Sequence, residues 1–171
     1  DPFFMMIRRS LNTFMNAFTS SDWTAYPFAS MNRKDFDNLL SVYLDCVFFS
    51  KLDPLDFAQE GHRLEFDKPE DPSTDLVYRG VVYNEMKGAM SSPTSQLWQN
   101  LSSHLFPTTT YHYNSGGEPD HIVDLSYDDL LQFYRHHYHP SNAIFATYGN
   151  IPAHEHHEKF EELALKRFDR L

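Results

Sequence analysis

Glu85 and ten histidines are the side chains of this 171-residue sequence whose types and spacing bear on metal or acid–base chemistry. Glu85 lies in the stretch 76–88, LVYRGVVYNEMKG, where a β-branched and aromatic start runs into a helix-like segment. With 81–89 helical, Val82, Met86 and Ala89 share one stripe at i, i+4 and i+7, and Val81 and Glu85 share the next. That spacing puts Glu85 at the edge of a buried face, away from Lys87. A carboxylate held against apolar neighbours needs a partner, because an unpaired buried charge is costly. A metal ion is one such partner. A basic side chain is another, and the commoner one.

The histidines fall in two clusters, His136, His137 and His139, then His154, His156 and His157 with Glu155 and Glu158 interleaved. Neither contains H-E-x-x-H or H-x-x-E-H, the spacings that set two imidazoles and a carboxylate base on one helical face. His62-Arg63-Leu64-Glu65 comes near, but its fifth position is Phe66. Imidazoles late in a helix complement its dipole, which accounts for the first cluster. A solvated first turn accounts for the second. There is no phosphate-cradling glycine loop and no diagnostic nucleophile motif.

The elements that would position these groups can be read in order. Phe4, Ile7, Leu11 and Phe14 recur at helical spacing, with Asp1 as N-cap and Pro2 at N1, so 1–14 is expected to be a helix. Residues 15–30 switch to short aromatic and Thr-rich runs around Ser20-Ser21-Asp22, expected as a hairpin or two adjacent strands. Asn16, Ala17, Phe18 and Thr19 would form its first strand, which could pair with an extended peptide if it lies at a sheet edge. Asn32 with Asp35 opens a helix whose wide apolar face comprises Phe36, Leu39, Leu40, Tyr43, Leu44, Val47 and Phe48.

A short helix follows Asp53-Pro54, then a strand over 62–66 and a surface loop over 67–75. Ser92-Pro93 begins a helix through Leu105. Gly116-Gly117 implies a tight turn or a close backbone approach. Ser126, with Asp129 at N3, caps a helix whose inner face is Leu130, Phe133, Tyr134 and Tyr138. Residues 144–148 are expected as a strand, and a last helix follows Pro152 with Phe160, Ala164 and Phe168 inward. The fold class is α+β, helices packed on one face of a mainly antiparallel sheet.

Composition narrows the function. A 41% hydrophobic content suffices for one domain with a core, or part of a larger one. No apolar run approaches the ~20 residues that span a bilayer, so no membrane partner is expected. The net charge of -10 opposes nucleic-acid binding and suits a cationic peptide. The single cysteine, Cys46, cannot form an internal disulfide. It is expected to pack in a core, in a reducing soluble compartment such as a bacterial cytoplasm or an organelle matrix. Both ends look cut, so a piece of a longer chain is expected.

Five blocks occur in order: Asp1-Pro2-Phe3-Phe4; Asn16-Ala17-Phe18-Thr19 with Tyr26-Pro27-Phe28; Gly80-Val81-Val82-Tyr83-Asn84-Glu85-Met86-Lys87-Gly88; Ser115-Gly116-Gly117; and Tyr138-His139-Pro140-Ser141-Asn142-Ala143. Together they resemble the pitrilysin or insulin-degrading class of zinc peptidases, nearest its presequence-protease branch. The resemblance implies a LuxS/MPP-like metallopeptidase half-domain. Residues 1–171 would be a single partial domain, the C-terminal portion of the first of four homologous domains that enclose a peptide-digesting chamber.

By position, the resemblance makes Glu85 the third zinc ligand. A carboxylate and two neutral imidazoles leave zinc a fourth position for water, whose proton a nearby Glu would take. It makes Asn16, Ala17, Phe18 and Thr19 an edge strand that holds peptide by β-augmentation, and sets Phe3, Phe4 and Ile7 near a hydrophobic side-chain pocket. The partners implied are a peptide substrate and the remaining domains of the parent chain.

One departure matters. The family carries H-x-x-E-H on the helix before Asp1-Pro2-Phe3-Phe4, and these 171 residues contain no such motif. Several members also carry a carboxylate some residues before the zinc Glu; seven back here is Tyr78. The chain alone is therefore expected neither to hydrolyse peptides nor to hold zinc tightly. The implied function is part of a zinc endopeptidase that degrades short unstructured, presequence-like peptides. The alternative is a non-catalytic homologue serving as a peptide-binding or scaffold subunit.

Overall fold

The computed structural model describes residues 8–169, so the expectations placed on Phe3, Phe4 and Ile7 lie outside the described residues. The chain divides into two compact units. One comprises Asp1–Ala17, Tyr26–Lys51 and Leu131–Leu171, the other Phe18–Ala25 and Leu52–Leu130. The fold is α+β, and every strand pair is antiparallel. Among the described residues the strands form three two-stranded pieces rather than one continuous sheet.

In the first unit β1 (Asn12–Met15) pairs with β4 (Phe28–Ser30), with an irregularity between Asn12 and Phe14. The helix expected over 1–14 therefore ends before Asn12. Arg8 and Arg9 are helical, and Phe14 sits in a strand instead. β-Branched Thr13 and aromatic Phe14 favour the ladder once β4 is there to pair with.

Helix α1 (Arg33–Phe48) is the spine of this unit. Asn32 caps it, its side chain accepting from the Asp35 N–H at 3.0 Å. Leu39, Leu40, Tyr43, Leu44 and Phe48 are buried, as the apolar spacing predicts. Leu40, Leu44 and Phe48 pack with Phe160 and Ala164, and Phe28, Phe36, Phe145 and Phe168 close around them. Phe160 belongs to α7 (Ala153–Leu163), which Arg33 also ties to α1 through Glu155 at 2.7 Å. Cys46, expected in the core, is exposed on the far side of α1. At two positions before Phe48 and two after Leu44 it faces about 200° from both, a helical geometry that apolar composition alone does not register.

Residues 144–148 are not a strand in the structure. They have no ladder partner among the described residues.

In the second unit β2 (Phe18–Thr19) pairs with β3 (Thr24–Ala25), and β5 (Arg63–Phe66) with β6 (Leu76–Arg79). Helix α2 (Pro54–Glu60) starts at the Asp53 cap, whose side chain accepts from the Leu55 N–H at 2.8 Å. The loop between β5 and β6 is closed by the Asp67 N–H to the Asp75 carbonyl at 2.9 Å. Then come α3 (Val81–Ala89), α4 (Pro93–Leu105) and the short α5 (Pro119–Ile122).

Helix α6 (Tyr127–His137) begins with the expected reciprocal cap. The Ser126 N–H donates to Asp129 at 2.8 Å, and the Asp129 N–H donates to the Ser126 hydroxyl at 3.2 Å. Its inner face differs at one place: Leu131 is half-buried and Phe133, expected inside, is exposed and stacks beside His137.

Candidate functional site

Glu85 stands on α3, and α3 is placed by what precedes it. Strand β6 runs into Gly80, and the helix starts at the next residue. A Cβ at Gly80 would overlap the main-chain carbonyl of Gly61, so only glycine lets strand and helix join this tightly. The ladder then fixes the helix's rotation. Tyr78 on β6 meets Tyr83 on α3 with ring centroids 6.0 Å apart. Tyr83, Met86 and Met90 become the half-buried stripe at i, i+3 and i+7.

The expected stripe of Val82, Met86 and Ala89 is thus rotated. Val82 and Ala89 are exposed, and so is Glu85. The bulk of Tyr83 and its contact with Tyr78 decide the face, which a count of aliphatic spacing misses. Among the described residues no side chain makes a hydrogen bond or ion pair with Glu85. The basic partner weighed for it is not there, and the carboxylate is presented outward.

The inner side of α3 is braced from the turn Asn114–Gly117. The Gly117 N–H donates to the Asn114 carbonyl at 2.9 Å, and Gly117 sits at φ +91. A Cβ at Gly116 would collide with the Met86 thioether, one residue from Glu85. The two glycines therefore serve both purposes expected of them, a left-handed turn and a close approach.

The donor set can be tested against a zinc ion. Zinc takes three or four imidazole, thiolate or carboxylate donors in a tetrahedral arrangement. Glu85 offers one such donor. Among the described residues no three His, Cys, Asp or Glu side chains converge in a metal-binding arrangement. These residues do not make a zinc site by themselves.

The histidines are spread over other duties. His136 and His137 lie edge to face, His139 accepts from the Ser141 N–H at 3.1 Å, and His156 is buried between Phe36 and Phe160. His62 contacts the Leu125 carbonyl through Nε2 at 2.7 Å.

Of the residues expected in a peptide-holding strand, Phe18 and Thr19 are in β2, in register with Ala25 and Thr24. Asn16 and Ala17 precede it. The Asn16 N–H donates to the Pro27 carbonyl at 3.1 Å, and the Asn16 side-chain oxygen accepts from the Ala17 N–H at 2.8 Å. The Asn16 carbonyl accepts from the Tyr43 hydroxyl at 3.3 Å, and Pro27 accepts from it at 3.2 Å. Tyr43 is buried on α1 and clamps the two sides of the hairpin together. Burial pushes its hydroxyl above the ordinary phenol range. Sequence reading assigned Tyr43 to packing only. Its position in an apolar stripe hides the hydroxyl's role.

Residues 124–170 match the family model described as the Peptidase M16 inactive domain. Over all 171 residues the chain is 56% identical to a mitochondrial presequence protease of Xenopus tropicalis, covering 17% of that protein. Over 152 residues, 89% of the chain, it is 52% identical to the mitochondrial presequence protease of Schizosaccharomyces pombe, covering 15% of it. It is likewise 52% identical over 153 residues, 90% of the chain, to the one of Drosophila melanogaster, again covering 15%. The chain belongs to the M16, pitrilysin-type peptidase family, in its presequence-protease branch. It spans about a sixth of the length of these M16 relatives. Glu85 lies outside the stretch matched as the M16 inactive domain.

Proposed function

We propose that this chain is part of a zinc-dependent endopeptidase that degrades short, unstructured, presequence-like peptides in the mitochondrial matrix. Within it, residues 1–171 are the C-terminal portion of the first, zinc-binding peptidase domain. Glu85 supplies one zinc ligand. The observation that carries this reading is the identity across the full chain to presequence proteases, the Glu85 helix included. The exposed and unpartnered Glu85 carboxylate is compatible with it, since a ligand must not be committed to a neighbouring cation.

Residues 16–19 hold peptide by main-chain pairing. Asn16 has its N–H and carbonyl engaged with Pro27 and Tyr43, so it anchors the segment, and pairing with peptide begins at Ala17. Phe3, Phe4 and Ile7 contribute to a side-chain pocket. The partners are the peptide and the remaining domains of the longer chain.

The 171 residues contain neither H-x-x-E-H nor any other pair of imidazoles with its spacing. By themselves they turn over no peptide. The test is peptide hydrolysis by the longest natural form beside the purified 171-residue chain. Turnover by the first and none by the second is expected; turnover by the short chain, free of other proteases, overturns the assignment. A non-catalytic, peptide-binding homologue is the second reading, favoured by the match of 124–170 to a domain described as inactive. Peptide binding without hydrolysis by the longest form would establish it.

A further inference from the structure

The hairpin of β2 and β3 is short. Each strand has two residues, and the Ser20 N–H closes the loop between them by donating to the Trp23 carbonyl at 2.8 Å. A two-stranded ribbon of this length is marginal by itself. A strand that receives a peptide through its main chain needs a fixed place, because a small shift of its edge misplaces every bond of the ladder. The second unit holds this hairpin at its tip. The Tyr111 hydroxyl donates to Asp22 Oδ2 at 2.8 Å, 89 residues away along the chain. The same bond pushes the Tyr111 hydroxyl above the ordinary phenol range.

Tyr111 is itself held. It lies in a 3-10 turn, Thr110–His112, where the His112 N–H donates to the Thr109 carbonyl at 3.1 Å. Helix α4 grips this turn twice. The Gln99 side-chain amide donates to the His112 carbonyl at 3.0 Å, and His112 Nδ1 contacts the Ser103 carbonyl at 3.0 Å. The Phe106 ring lies against Tyr111 with centroids 5.7 Å apart. The chain then runs into Asn114–Gly117, the turn whose Gly116 abuts Met86 beside Glu85. One segment, 110–117, thus touches both the hairpin tip and the helix that carries Glu85. Asp22 and Tyr111 are both exposed, so water competes for their bond and it adds little to stability. What it fixes is position.

We propose that Asp22 and Tyr111 are a positioning pair that holds the β2–β3 hairpin in place relative to the Glu85 helix, so that β2 can receive a peptide. This rests on the reading of residues 16–19 as a peptide-holding segment. The pair acts through the hairpin and touches no peptide itself. The competing role for Asp22 is direct contact with a basic side chain of the peptide.

The test uses the full-length natural protein and a labelled, unstructured peptide containing Arg and Leu. Binding is read with a chelator present, and hydrolysis without it. Tyr111→Phe and Asp22→Ala are each expected to raise Kd about three- to tenfold, with Tm within about 2 °C of wild type. The double variant is expected to lose no more than either single one, since both remove the same bond. Asp22→Asn keeps an acceptor and is expected to stay within about twofold of wild type. Single variants that bind as wild type does overturn the pair, and so do losses that add in the double variant. A Tm that falls in step with binding also overturns it, leaving the bond a structural one. Asp22→Asn as weak as Asp22→Ala, beside an unaffected Tyr111→Phe, overturns it too and assigns Asp22 to direct contact. The wild type separates the two levels. If it binds the peptide and hydrolyses none, the peptidase reading fails and the pair is still decided by the Kd values. If it binds none, the peptide-holding segment fails and the pair with it.

Discussion

Asp35 shows how one carboxylate can anchor the approach to the candidate peptide strand. It is buried, and it accepts from the Ser10 hydroxyl at 2.7 and 2.9 Å and from the Leu11 N–H at 3.1 Å. Burial alone would push its carboxyl up, but the Ser30 and Ser10 hydroxyls and the Leu11 amide outweigh it and hold the group below the ordinary carboxylate range. A carboxyl depressed in the fold stabilises in full above its unfolded value and loses that contribution as pH falls through its folded value. Asp35→Asn is therefore expected to cost about 1–3 kcal/mol at pH 7, with the gap from wild type closing as the pH is taken toward 3. Urea titrations across that range measure it, and a pH-independent gap would contradict it. Tyr43→Phe removes the hydroxyl that Asn16 and Pro27 share. On the proposed function, it is expected to raise the KM of the full-length protein for peptide several-fold and leave kcat nearly unchanged. A fall in kcat with KM constant would move Tyr43 away from the peptide strand. Neither role was legible in the sequence. Asp35 reads as half of a capping box and Tyr43 as one more apolar position, because partners 16 to 27 residues away along the chain leave no local pattern.

Among the elements, the junction of β6 and α3 is the most constrained. Gly80→Ala places a methyl group against the Gly61 backbone, which cannot rotate away as a side chain can. A loss of about 1–3 kcal/mol is expected, read as a lowered Tm. Gly88→Ala, with open space around it, is the control and should be neutral or slightly stabilising. Where caps and apolar spacing agreed, elements were legible: α1 from Asn32, α4 from Ser92-Pro93, α6 from Ser126 and Asp129. They were lost where tertiary partners decide. Phe14 has helical spacing with Phe4, Ile7 and Leu11 but pairs with Ala29 of β4. The rotation of α3 depends on Tyr78 in the preceding strand. Residues 144–148 carry a strand's β-branched and aromatic composition, and no length of sequence pattern supplies a neighbour.

At the scale of the whole molecule, the 171 residues carry a net charge of -10. That charge suits cationic peptides, and raising ionic strength is expected to weaken their binding to the full-length protein. The family was legible because five short blocks fall in order across the sequence, and the α+β class because helices alternate with a few short strands. Of the proposed zinc site only Glu85 can be named from the sequence, because the H-x-x-E-H motif does not occur in these residues. Zinc content per chain is the deciding measurement, made on the full-length natural protein, wild type beside Glu85→Gln. About one zinc in the wild type and a marked loss in the variant are expected if Glu85 is a ligand. Equal zinc in both would mean that Glu85 does not hold the metal, and no zinc in either would leave a peptide-binding scaffold in place of a peptidase.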